Sequence, residues 1–206
     1  MSEKDKIYRA LQQHIDKYMP VGFPETKSGV DLNILKHFFT AKDAELALKL
    51  GPLPESLEEI YSRVNESGMP IEELEEKLDT LVMKGALMGG KLSKSEKGEK
   101  RYSLSQWAVG IFELQVDRLS KKFAIDAEKY MDEAFYKEWF KPGTPAQMRT
   151  IPVSGSIKVE HYVSTYDDVR NLMENVQGPF SVHNCVCKQS ATLQDQPCKL
   201  TENVRT

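Results

Sequence analysis

The chain has 206 residues, 40% of them hydrophobic and 29% charged, which is enough for one medium domain or two small ones with a core. Its 28 Lys and Arg against 31 Asp and Glu leave a net charge of −3, so no global field draws it onto nucleic acid or an anionic membrane. The apolar run at 107–112 is far too short to span a bilayer, and the opening Ser2-Glu3-Lys4-Asp5-Lys6 lacks the apolar stretch of a secretory signal. Secreted, membrane-embedded and disordered classes drop out, and a cytoplasmic protein is expected.

The first helix is expected from Glu3 to Tyr18, with Ile7, Leu11, Ile15 and Tyr18 as its apolar stripe. Met19-Pro20-Val21-Gly22-Phe23-Pro24 breaks it, and Ser28-Gly29 prolongs the loop. A helical pattern resumes at Asp31 through Leu32, Leu35, Phe38 and Phe39. Thr40, with Asp43 three residues on, marks another helix start, and that helix ends at Gly51-Pro52. Ser56-Leu57-Glu58-Glu59 is a capping box for a short helix through Ile60 and Val64. After a turn at Ser67-Gly68, Pro70 opens a helix carrying Ile71, Leu74, Leu78, Leu81 and Val82, which Gly85 closes. Residues 86–92 and 100–104 then read as a β-hairpin around a polar loop. Helix, helix, turn, helix and hairpin is the order of a winged helix-turn-helix.

Two more helices are expected, Gln106 to Leu119 and Phe123 to Phe140, the second with Phe123, Ala127, Tyr130, Ala134 and Trp139 along one side. Lys141-Pro142-Gly143-Thr144-Pro145 is the best linker. Beyond it, 149–153 and 156–163 have strand character. Tyr166 to Val176 reads as a helix with Asp167 and Asp168 in its first turn, and Phe180 to Val186 reads as a strand leading into the cysteines. The expected class is α+β, mainly α. It is divided into an N-terminal helix plus winged-helix region (1–104), a helical connector (105–140) and a small α/β segment with the cysteines (148–206).

All three cysteines, Cys185, Cys187 and Cys198, fall in that last segment. An odd, clustered set in a chain without a signal points to reduced thiols, and so to metal or redox chemistry rather than a disulfide scaffold. A C-x-C pair sets two thiols where they can share one metal or cluster, and a third ten residues on can fold over from a loop. Soft thiolates select iron–sulfur clusters, zinc or copper(I). Four ligands are usual, so one is missing, and His183 is the candidate within this chain.

The stretches Phe180-Ser181-Val182-His183-Asn184-Cys185-Val186-Cys187-Lys188 and Gln196-Pro197-Cys198-Lys199-Leu200-Thr201 resemble a family of iron–sulfur proteins of anaerobic microbes, described as 4Fe–4S ferredoxin-type proteins. The residues from Met19 to Phe39, the winged region through Leu104, and Val163-Ser164-Thr165-Tyr166-Asp167 are also similar. The resemblance implies a 4Fe–4S cluster on Cys185, Cys187 and Cys198, with electron transfer as the role. It also implies a fourth cysteine soon after Cys198 and ferredoxin motifs beyond. This sequence has neither, as if cut before its ferredoxin part.

Other chemistry finds little support. The candidate recognition helix, Pro70 to Lys84, carries Glu72, Glu73, Glu75, Glu76 and Asp79 against Lys77 and Lys84, the wrong sign for a phosphate backbone. The hairpin is basic, with Lys91, Lys94, Lys97, Lys100 and Arg101 against Glu96 and Glu99. Gly85 to Leu92 nearly matches a phosphate-binding loop, but Leu92 replaces the hydroxyl and the context is helix-to-strand. His14 and His37 read as packing residues, and His161 has no evident partner. Trp107 and Trp139 likewise read as helix packing. Three readings follow: an iron–sulfur electron carrier, a redox-sensing winged-helix regulator, or a protein with a structural zinc site. The expected partners are a redox protein and, through the helical regions, a second copy of the chain.

Overall fold

The structure is a computed structural model that describes residues 3–64, 68–91, 99–143, 166–178, 180–181 and 183–197. The chain is mainly helical, with one small antiparallel sheet. Packing divides it into two units, one of residues 1–147 with 184–206 and one of residues 148–183.

The first unit opens with α1, Glu3–Tyr18. Tyr8, Leu11 and Ile15 form its buried face, whereas Tyr18 is exposed and receives the edge of the His14 ring. The expected stripe holds at Leu11 and Ile15, with Ile7 packed against the core, and is widened by Tyr8, whose hydroxyl donates to the buried Phe39 carbonyl at 2.9 Å. Next come α2, Val30–Phe38, and α3, Ala41–Ala47. Thr40 and Asp43 close a capping box over the start of α3, with bonds of 3.2 and 2.9 Å. Between α1 and α2, Asp31 is fully buried. Its carboxylate accepts from Arg9 and from the Thr26 hydroxyl, each at 2.6 Å. A buried charge needs such partners, since taking an unpaired carboxylate out of water is costly.

A two-residue strand β1, Glu55–Ser56, leads into α4, Leu57–Val64, whose capping box joins Ser56 and Glu59. Then follow α5, Ile71–Met83, and the hairpin β2, Leu87–Lys91, and β3, Lys100–Leu104. The sheet order is β1-β3-β2, with Glu55 opposite Tyr102 and Leu87 opposite Leu104. The stripe Leu74, Leu78 and Leu81 of α5 is buried. Gly85 ends the helix at φ +72 before β2, so the glycine-rich stretch after it is a helix cap and a strand. The hairpin tip lies outside the described residues.

Residues 106–119 do not form the expected helix. Trp107–Ile111 is a turn with extended backbone at Ala108 and Val109, and a single tight turn, Glu113–Gln115, follows. Side chains hold the break open. Gln106 donates to the Val109 carbonyl at 2.9 Å, and the Glu113 carboxylate accepts from the Gly110 N–H at 2.7 Å. The break lets Trp107 enter the core, where its ring lies against Tyr130, Phe123 and Phe112.

Helix α6, Lys121–Tyr130, is capped by the Ser120 hydroxyl and runs through a widened turn, Met131–Phe135, into α7, Tyr136–Trp139. Phe123, Ala127, Tyr130 and Ala134 are buried on one side, as their spacing predicts. Phe23, from the loop after α1, stacks on Tyr130 with ring centres 4.6 Å apart.

In the second unit, α8 spans Tyr166–Asn175. Leu172, Met173, Val176 and Phe180 are exposed. The strand-like stretches at 149–153 and 156–163, the linker residues Thr144 and Pro145, and His161 lie outside the described residues. No strand forms in the described part of 180–186. Cys185 instead precedes a helix, α9, Val186–Leu193, which returns the chain to the first unit. Val186 belongs to the first unit's core, and α9 packs on α6. No helix among the described residues is long and apolar enough to cross a membrane.

Candidate functional site

Cys185 is the residue that precedes the first turn of α9, and Cys187 is the second residue of that helix. Both are exposed and unbridged. The positions follow from the α9 pattern: Val186 and Ser190 are buried one turn apart, which turns Cys185 and Cys187 toward the surface. Their thiols are within hydrogen-bonding reach of each other but lie in opposite environments. The backbone N–H of Lys188, and then that of Cys187, pulls the Cys185 thiol below its ordinary range against partial burial, with help from the Lys188 charge. Partial burial pushes the Cys187 thiol up, and the charges of Cys185 and Glu113 add to the rise. The pair therefore favours one thiolate, on Cys185, donated to by the Cys187 thiol.

A polar clamp fastens this segment. Asp117, in the left-handed conformation at φ 62, accepts from the Asn184 side chain at 2.7 Å and from the Gln189 side chain. Its own N–H donates back to Gln189 Oε1 at 2.8 Å. Lys121 holds the other end of α9 through Asp195, also at 2.8 Å. Asn184 directly precedes Cys185 and Gln189 lies one turn on, so the clamp brackets the thiol. Asp117, Asn184, Lys188 and Gln189 also line a cavity of about 410 Å³ that opens beside Cys185.

The remaining candidates are less converged. Cys198 lies outside the described residues. His183 belongs to the second unit, with its Nε2 2.6 Å from the Ser181 hydroxyl. Among the described residues, no group of three or more His, Cys, Asp or Glu side chains is close enough together to hold a metal ion. The two described thiols thus suit a soft metal or an iron–sulfur cluster in donor type, and supply half of the four ligands such groups usually take.

The other two described histidines, His14 and His37, make packing contacts. His14 Nε2 meets the Leu50 carbonyl at 2.9 Å, and His37 stacks on Phe123 with centres 4.8 Å apart. On the acidic face of α5, Lys100 is paired with Glu75 at 2.8 Å and Asp79 at 2.5 Å, and Asp79 also accepts from the Tyr102 hydroxyl. The base of the hairpin is therefore neutralised by the helix beside it.

Sequence reasoning finds the C-x-C pair but misses Asp117 and the helix after the cysteines. The spacing of Val186, Ser190 and Leu193 is the signal that reveals α9. Comparison with known proteins finds no matching family model, no matching curated protein and no matching solved structure.

Proposed function

We propose that the chain is a cytoplasmic iron–sulfur protein with a one-electron transfer role, its cluster of the 4Fe–4S type held by Cys185, Cys187 and Cys198. The observation that carries this reading is the exposed C-x-C pair at the start of α9, with its Cys185 thiolate favoured by backbone N–H groups. Such a cluster supplies reversible one-electron chemistry at its iron atoms. The chain's own part is to present the thiolates on a helix whose ends are clamped by Asp117 and Lys121. The Lys188 and Cys187 N–H groups are also set where they would donate to sulfur, and such donors tune the potential of a site. Cys198 would join from the segment after α9, and the fourth ligand is assigned to none of the described residues.

The finer fold assignment belongs to the same proposal. The α3 to α5 helices, the β2–β3 hairpin and the β1-β3-β2 sheet order support a winged helix-turn-helix, with α5 in the recognition position. The acidic α5 and the pairing of Lys100 with Glu75 and Asp79 favour a docking module for a protein partner over a reader of nucleic acid.

Anaerobic purification, followed by iron, zinc and sulfide analysis and a visible spectrum, tests the proposal. The expected result is a brown protein with a broad band at roughly 400 nm that Cys185→Ser and Cys187→Ser each bleach. A colourless protein with stoichiometric zinc would replace the cluster with a structural zinc site. A protein that takes up neither metal, even after reconstitution with iron and sulfide, would overturn the proposal.

A further inference from the structure

The side of α9 that carries Cys187 faces a second cavity, of about 460 Å³, between α9, the turn at 107–111 and the α6–α7 helix. Small-molecule sites usually fall between about 300 and 1,000 Å³ and are mostly apolar with a few polar groups. The floor here is apolar, from Met131, Phe135 and Trp139, spaced one turn apart along a helix. Val109, Tyr136 and Phe140 form a rim that is 67%, 47% and 75% exposed. Apolar side chains left in water around an apolar floor gain from being covered.

The charge of the walls is one-sided. Glu113, Glu128 and Asp132 line the cavity, and no Lys or Arg does so among the described residues. Glu128 and Asp132 lie four residues apart on α6 and its widened turn, and neither has an ion-pair partner among the described residues. Glu113 is held in place by the Gly110 N–H at 2.7 Å. Aromatic faces and carboxylates both attract a cation, and neither attracts an anion. We infer that this cavity binds a small organic cation with an apolar body, seated on Met131, Phe135 and Trp139 with its charge toward Glu128 and Asp132.

The test is calorimetric titration of the full chain with three probes on one diarylmethane frame, all at one mildly alkaline pH: the N-benzylpyridinium cation, neutral 3-benzylpyridine, and the 2-benzylbenzoate anion. The cation should saturate one site about tenfold more tightly than the neutral probe, a ratio in keeping with a partly desolvated charge over aromatic rings. The anion should not saturate. Glu128→Gln combined with Asp132→Asn, both at exposed positions, should cut the cation's advantage over the neutral probe to about threefold, the aromatic faces and Glu113 supplying what remains. Ala191→Trp, which fills the cavity from α9, should abolish binding of both probes while the far-ultraviolet circular dichroism stays unchanged. If Ala191→Trp disturbs the fold, Met131→Trp tests the same filling from the widened turn after α6. No saturable binding by any probe, equal binding of cation and neutral probe, or a preference that the double neutralisation leaves undiminished would each overturn the inference.

Discussion

His37 illustrates what one titratable ring contributes when its neutral form is the one that packs. It stacks on Phe123 and meets the edge of Phe38. Burial, and then the charge of Lys122, hold its pKa below the ordinary histidine value, with Asp126 opposing. Between that lowered value and about 6.5 the unfolded chain binds more protons at this position than the folded chain does. Stability from this group is therefore present above the ordinary value and is lost as the pH falls through the window. His37→Phe keeps the stack and removes the titration. Melting temperatures measured from about pH 7.5 down to about pH 5.5 should fall less for the variant than for the natural chain, and equal slopes would show that the ring is not held neutral. At this scale the cysteine pair was legible, because its spacing is local. Asp117 was not: its partners Asn184 and Gln189 are 67 and 72 positions away, beyond the reach of any periodicity.

Among the elements, those whose signals are local follow the sequence closely. The capping boxes Thr40–Asp43 and Ser56–Glu59 form at the residues that announce them, since each closes within one turn. Expectation and structure part where distant contacts decide. Residues 106–119 have helical apolar spacing, yet Trp107 reaches Phe23, Phe123 and Tyr130 only because the backbone breaks there. Residues 180–186 alternate like a strand, but Val186 finds its burial in the first unit's core as the start of a helix. The end of α5 offers a test of such a contact. A Cβ on Gly85 would stand 2.6 Å from Gln115 Nε2 and 2.8 Å from Leu114 Cβ, at a φ of +72. Gly85→Ala therefore meets both left-handed strain and overpacking, about 2–4 kcal/mol together. Gly68, at φ +70 with nothing within 4 Å of such a Cβ, meets the strain alone. Urea denaturation should show Gly85→Ala losing clearly more stability than Gly68→Ala. Equal losses would mean that the turn at 113–115 does not press on the end of α5.

For the whole molecule, the division into two units matters more than the order of segments along the chain. Residues 148–183 are an excursion from a unit that resumes at 184. Composition marks the exit well, through the Pro and Gly at 142–145, but gives no sign of the return, since α9 rejoins by packing on α6. The first unit holds its own core, from Leu11 through Val186, and its own clamps at Asp117 and Lys121. Replacing 148–183 by a Gly/Ser segment of equal length should leave a cooperative thermal transition, with hydrogen exchange in α9 as slow as before. Loss of protection confined to α9 would show that this helix depends on the excursion to stay in place.

The discontinuity also bears on how the protein is made. As the chain leaves the ribosome, the faces of α6 and of the turn at 107–111 emerge well before the α9 residues that pack beside them. During that interval the side of α6 on which α9 packs is bare, a condition that invites chaperone contact or misassociation. Cys185 and Cys187 arrive after α1 to α7 of the first unit and come into position as α9 packs on α6. On the reading proposed above, loading of a cluster would be tied to completion of the fold, because the helix that presents the thiols is held by packing on α6.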